Sequence, residues 1–356
     1  MWGLVNVGLH GRLVGAVLSD DLFHPDHVVP AAELVPAVVE GADQCKAQML
    51  VEPADEPVAE TPEEPVEVVP ADDPAEPEED TPDTPATASL STETDATQTL
   101  DLELYSEHAI LIDLETNTVI AEKDPDAKIY PASMTKVMTA LVACEQITDW
   151  DATFTMTQAI IDPLFLSDAT MAGFVNGEEV SMTDLVYGSL LPSGAEATEA
   201  LAQTIAGSTE GFVALMNEKA AELGLTNTHF VNDSGLHDEN HYTTVREMAV
   251  ILEAAMANER CRAALSAVSY TSAPTTQNPE GVAMINKFLY RIGQYKLGDA
   301  VVEGAKTGFT SQAMNCCASF GIAANGKPVV CVTAHAWTGD FCVEDHVALY
   351  TTYCGD

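Results

Sequence analysis

The sequence predicts a mixed α/β molecule of the α+β kind, with an antiparallel sheet flanked by helices and a mostly helical lobe. Three observations carry this expectation. Strand-like alternation begins near residue 108, helical spacing of apolar residues dominates from about 131 to 257, and strand-like runs return after Lys306. Strands, a long helical insert, then strands, all with short connections, imply one sheet covered by helices.

The elements follow in order. HAILIDLETNTVIAEKD reads as two strands joined at Thr116-Asn117, because apolar residues alternate on each side of that pair. In PASMTKVMTALVACEQI, Pro131 and Ser133 precede Met138, Leu141 and Val142 at helical spacing, so a helix should start there. Residues 183–206 and 210–223 read as two further amphipathic helices, the second stopped by Gly224. Another helix is expected over 244–257. Lys306-Thr307-Gly308 should open the first strand of a late hairpin. NCCASFGIAA and PVVCVTAHA should be strands joined by a turn at Asn325-Gly326, with a final helix over about 341–353. That turn would set Cys331 across from Phe320, and neighbouring Cys316 and Cys317 should point to opposite faces.

Composition sets the limits. The 356 residues can bury a sizeable core, and 14 Lys plus Arg against 56 Asp plus Glu give a net charge of -42. Such a chain repels nucleic acid and anionic headgroups, so no nucleic-acid partner is expected. No apolar run is long enough for a transmembrane helix. Residues 1–50 read as a degenerate signal or a disordered head, since the apolar start is interrupted by His10 and Arg12. Residues 51–100 carry sixteen acids, nine prolines and no Lys, Arg or aromatic. They cannot bury enough apolar area to offset their ordering entropy and read as an acidic, Pro-rich spacer. A catalytic domain is expected over 101–356. Eight cysteines fit either redox setting, and with no C-x-x-C pair a zinc ribbon is not expected.

Three motifs carry chemistry: Ser133-Met134-Thr135-Lys136, Ser193-Gly194-Ala195 and Lys306-Thr307-Gly308. Three residues apart at a helix start, Ser133 and Lys136 share a face. A serine hydroxyl needs an adjacent base, and a lysine serves only when its amine is neutral, which burial and a second cation such as Lys306 favour. The helix N-terminus leaves N–H groups free for a developing oxyanion. At a strand edge, Lys306 and Thr307 supply a charge and a hydroxyl for a carboxylate, and Gly308 lets backbone approach closely.

With these motifs in this order, the chain resembles the low-molecular-mass penicillin-binding proteins of the D-alanyl-D-alanine carboxypeptidase family. The similarity runs over roughly residues 103–340, through PASMTKVMTALVA, GEEVSMTDLVYGSLLPSGAEATEALA, MNEKAAELGLTNTHFVNDSGLHDENHYTT and VEGAKTGFTSQAMNCCASF. It implies a β-lactamase/transpeptidase-like fold and a serine-type carboxypeptidase that removes the terminal D-alanine from peptidoglycan stem peptides. It further implies that Ser133 forms the acyl-enzyme, Lys136 takes its proton and Ser193 relays one to the leaving D-alanine. Lys306 and Thr307 would hold the substrate carboxylate, and the N–H groups of Ser133 and Phe309 would form the oxyanion hole. No cofactor or metal is implied, and β-lactams are expected as covalent inhibitors. Acting on peptidoglycan requires a place outside the cytoplasmic membrane, with any tether through the N-terminus.

The chain departs from the family pattern at Ala195, where an Asn is usual, so an amide near Lys136 or the substrate backbone is missing. It also stops soon after the fold should close, without the C-terminal β-rich domain of many relatives. A class A β-lactamase would need a carboxylate for its deacylating water, and no E-x-x-L-N match lies between Ser193 and Lys306. His237 and His241 in HDENH do not match H-E-x-x-H and read as loop-structuring residues. A non-catalytic wall-binding protein would not require Ser133 and Lys136 together.

Overall fold

The computed structural model describes residues 89–100 and 102–355. Among these the chain begins with β1 (Gln98–Thr99), β2 (His108–Asp113) and β3 (Thr118–Lys123). A short 3₁₀ turn, Ala132–Met134, leads into α1 (Thr135–Gln146). Next come β4 (Thr153–Thr155), α2 (Gln158–Leu166), β5 (Glu179–Ser181), α3 (Met182–Leu190), α4 (Ala195–Ala206) and α5 (Thr209–Glu222). α6 (Val245–Ala257) and α7 (Glu259–Ser266) precede β6 (Ser269–Thr271), β7 (Ala283–Ile285) and α8 (Lys287–Ile292). The chain closes with β8 (Val301–Thr310), β9 (Met314–Ile322), β10 (Pro328–Ala336) and α9 (Gly339–Cys354).

Six strands form one sheet in the order β1-β3-β2-β10-β9-β8. Every pairing is antiparallel except β1 with β3. Both faces are covered, which explains why the central strands are almost wholly apolar. Ile110, Ile112, Cys316, Phe320, Val330 and Val332 point into the core under α1 and the helical lobe. Ala109, Leu111, Cys317, Val329 and Cys331 point the other way, under α8 and α9. Cys316 and Cys317 thus lie on opposite faces, as alternation along a strand demands. All seven described cysteines are buried free thiols. No helix among the described residues is long and apolar enough to cross a membrane.

Four expectations are corrected. The ordered body starts before residue 101: Thr92 bridges Thr118, β1 pairs with β3, and Leu100 is buried. The last dozen residues of the expected spacer are therefore part of the sheet layer, while the rest of it and residues 1–50 lie outside the described residues. The single helix expected over 183–206 is two, α3 and α4. Pro192 has no N–H to continue the ladder, and Ser193 turns left-handed at φ 71. Lys306-Thr307-Gly308 sits in the middle of β8, which starts five residues earlier at Val301. Finally, Cys331 pairs with Ser319 and Val330 with Phe320. The Asn325-Gly326 turn is a three-residue loop, closed by Gly326 N–H to Ala323 O and Ala323 N–H to Lys327 O, with Gly326 at φ 85. A loop one residue longer than the two-residue turn moves the register by one.

Candidate active site

The turn that carries Ser133 is built where sequence places Pro131 and Ser133, but the backbone of the site is strained. Ala132 takes φ 46 and Ser193 φ 71, left-handed values that residues with a Cβ rarely adopt. Strain of this kind persists only where surrounding packing enforces it. Here it turns Ser133 toward Lys136, on the first turn of α1. The Lys136 Nζ donates to Ser133 Oγ at 3.1 Å and to the carbonyl of Ser234 at 2.6 Å. The second pair forms across the break between α3 and α4. Lys306 Nζ donates to Ser193 Oγ at 2.9 Å and to Thr307 O at 2.9 Å.

Both amines are buried, each 2% exposed. Burial pushes Lys136 down to about 8, against the opposing pull of the Asp233 and Glu196 carboxylates. Lys306 is pushed down to about 7, first by burial and then by the charge on Lys136. Two ammonium ions this close and this dry disfavour each other, so near neutral pH the pair readily gives up one proton. The sequence reading cast Lys306 as the cation that discharges Lys136. In the free protein burial is what lowers Lys136, while Lys306 is lowered by burial and then by the charge on Lys136.

Edge strand β8 presses directly on the Ser133 turn. A Cβ on Gly308 would stand 2.7 Å from Pro131 O and 3.0 Å from Ser133 N, so only glycine allows this approach. A cleft of about 540 Å³ opens there, lined by Ser133, Lys136, Ala195, Ser234 and Phe309 among others. Thr307 is exposed on the same edge and the Phe309 ring is 61% exposed. All seven residues expected at the site, Ser133, Lys136, Ser193, Lys306, Thr307, Gly308 and Phe309, thus fall into one neighbourhood.

Sequence reading missed the group that anchors Lys136. The Ser234 carbonyl is presented by a turn in which Asn232 Oδ1 accepts the N–H of Gly235 at 2.7 Å. Asn-Asp-Ser-Gly carries an ordinary turn signal, but nothing in it names its distant partner. His241 fits the loop-structuring reading. Its Nδ1 accepts the Val231 N–H at 3.1 Å, so its Nε2 carries the proton and donates to Thr135 Oγ1 at 2.7 Å. Burial lowers His241 to about 4, which keeps it neutral. His237 sits on the cleft wall, edge-on to Tyr130.

Comparison with known proteins gives consistent results. A family model described as D-alanyl-D-alanine carboxypeptidase matches residues 92–338. The D-alanyl-D-alanine carboxypeptidase DacF of Bacillus subtilis is 29% identical over 222 residues, 62% of this chain and 55% of that protein. A D-alanyl-D-alanine carboxypeptidase of Streptomyces sp. K15 is 30% identical over 222 residues, 60% of this chain and 75% of that one. DacA of Escherichia coli is 36% identical over 160 residues, 43% of this chain and 39% of its own. The chain thus spans about half the length of the Bacillus relative, and less of the Escherichia one. Among solved structures, the Streptomyces K15 DD-transpeptidase superposes with a TM-score of 0.64 at 27% identity, covering 71% of this chain and 98% of that one.

Proposed function

The chain belongs to the D-alanyl-D-alanine carboxypeptidase family, and from that premise we propose that it is a serine-type D-Ala-D-Ala carboxypeptidase. It removes the terminal D-alanine from peptidoglycan stem peptides during cell-wall maturation and is acylated by β-lactams. The observation that carries this reading is the buried Lys136 amine 3.1 Å from the Ser133 hydroxyl, facing a glycine-lined strand edge. No metal or cofactor enters the scheme.

The steps follow from the geometry. Ser133 Oγ attacks the carbonyl carbon of the penultimate residue while its proton passes to the neutral Lys136 amine. The negative oxygen that develops accepts from the N–H groups of Ser133 and Phe309. Thr307 and Lys306 take the terminal carboxylate. An anion beside Lys306 strengthens that amine's hold on its proton, and a charged Lys306 in turn disfavours charge on Lys136. Substrate binding therefore moves the shared proton toward Lys306 and frees Lys136 to act as base. Collapse of the intermediate protonates the leaving D-alanine nitrogen through Ser193, and water then cleaves the ester.

Because the substrate lies on the wall side of the membrane, the catalytic body acts outside the cytoplasm. The test is incubation with a fluorescent penicillin and with a pentapeptide ending in D-Ala-D-Ala. The wild type should form a long-lived covalent adduct and release free D-alanine. Ser133→Ala should abolish both, and Lys136→Ala should slow acylation by several orders of magnitude. Full labelling of the Ser133→Ala protein would exclude the assignment, and rapid turnover of the adduct would mark a β-lactamase.

A further inference from the structure

A carboxyl group under the cleft has no part in these steps and belongs to none of the three motifs. Asp233 is 3% exposed, and its Oδ2 has no hydrogen-bond partner. Its own carbonyl accepts from Thr139 Oγ1 at 2.6 Å, and the next carbonyl in the chain, that of Ser234, holds Lys136 Nζ at 2.6 Å. The Thr198 hydroxyl is shared between the Asp233 carboxyl and Ala195 O, the latter at 2.9 Å. Asp233 is thus held between α1 and α4, beside Lys136, and its α4 neighbour Thr198 lies one helical turn from residue 195, where only a methyl group stands.

The charged and titratable groups that face this region can be named. Glu196 and Glu199 come from α4, Lys136 from α1, Lys306 from β8 and His241 from the loop before α6. Glu196 spends one oxygen on the Gly173 and Phe174 N–H groups, and Glu199 accepts from Thr209. Asp233 has neither such engagement at its free oxygen nor a cation in direct contact. A buried carboxylate in that state is costly unless a nearby charge offsets it. Burial and then the Glu199 charge push Asp233 up to about 7, and Lys136 is the cation that pulls it back down.

We infer that Asp233 is a positioning residue for the Lys136 amine: its buried carboxyl is the counter-charge that governs when the amine is free to take the Ser133 proton, in a site whose residue 195 supplies no amide. This rests on the reading of Lys136 as proton acceptor. Asp233 touches no substrate in this scheme and acts through the lysine alone.

The experiment is the rate of acylation by a fluorescent penicillin across pH 5–9, for the wild type, Asp233→Asn and Thr198→Val. The rate rises with pH as Lys136 loses its proton. Near pH 8, where Lys136 titrates and Asp233 is mostly charged, removing the anion lowers the amine's affinity for its proton, so the acidic limb of Asp233→Asn should move to lower pH by about one unit. Thr198→Val takes a donor from the carboxylate, leaves it charged less often, and should move the limb the same way by less. That second variant decides the matter if Asp233→Asn does not fold. Limbs coincident with a labelled wild type, whatever the amplitude, would overturn the inference alone. A wild type unlabelled at every pH would overturn the reading of Ser133 and this inference with it.

Discussion

The two faces of one sheet bury polar groups equally deeply and handle them in opposite ways. Under α9, His346 lies between Ser319 and Thr333, its Nδ1 2.9 Å from Ser319 Oγ and its Nε2 3.0 Å from Thr333 Oγ1. Ser319 Oγ is also 3.1 Å from the Tyr350 hydroxyl. Burial holds that imidazole neutral, pushed down to about 3, and each of these polar atoms has a partner. Across the sheet, under the cleft, two lysines and two carboxyls are buried, and Glu196 Oε2 and Asp233 Oδ2 have no partner. The backbone differs too, because Ala132 and Ser193 are left-handed there. The neutral network is what stability alone would select. Under the cleft, two buried lysines, two orphaned carboxyl oxygens and two left-handed residues meet in one place, where ionisable groups with shifted proton affinities are useful.

Breaking the contact between strand edge and nucleophile should have the largest effect. Gly308→Ala puts a Cβ into the backbone of Pro131 and Ser133, neither of which can swing aside as a side chain would. Either β8 or the nucleophile turn must retreat, and a displacement of this order costs about a hundredfold in rate. Penicillin acylation should fall by about that factor, while the His346 network on the other face stays intact. An unchanged acylation rate would mean that the edge strand need not abut Ser133.

The neutral face predicts a smaller effect, of a different kind. His346 stays unprotonated in the folded protein down to about pH 3, whereas an unfolded chain protonates its imidazole near the ordinary value. The unfolded state therefore binds more protons between those limits, and stability falls as pH falls. One such histidine removes about 2 kcal/mol between pH 7 and pH 5. His241, lowered to about 4, acts with the same sign on the cleft side. Urea unfolding of the wild type and His346→Gln at both pH values separates the two. The variant should lose less stability on acidification by about one histidine's share, and parallel losses would show that His346 is not the group held neutral.

Much of the fold and of the site was legible in the sequence, because the signals are local. S-x-x-K spacing, a strand edge with a glycine and alternation around Cys316 and Cys317 all depend on residues a few positions apart. What was not legible depends on partners far along the chain. Helical periodicity runs on through Leu190 and into Ala197 and Leu201, all buried, so pattern alone could not reveal the break that aims Ser193 at Lys306. The Ser234 carbonyl reaches Lys136 across 98 positions. Asp233 reads as one more acid in a turn until burial sets it beside an amine. Short ribbons such as β4 with β5 and β6 with β7, three residues a strand, fall below the length at which alternation can be recognised.

The same substitution at a second glycine of the β8-β9-β10 meander should have the smallest effect, and so tests whether the contrast between the regions is one of place or of residue type. Gly326 sits at φ 85 in the loop between β9 and β10, and a Cβ there meets nothing within 4 Å. Gly326→Ala therefore adds backbone strain without a collision, at a cost of about 1 kcal/mol. The loop's closing bonds, Gly326 N–H to Ala323 O and Ala323 N–H to Lys327 O, fix the register that pairs Val330 with Phe320. If that register holds, acylation should match the wild type while the urea midpoint falls slightly. A loss of acylation comparable to that of Gly308→Ala would show that the distant turn governs the cleft through strand register, and that the division between the two regions is false.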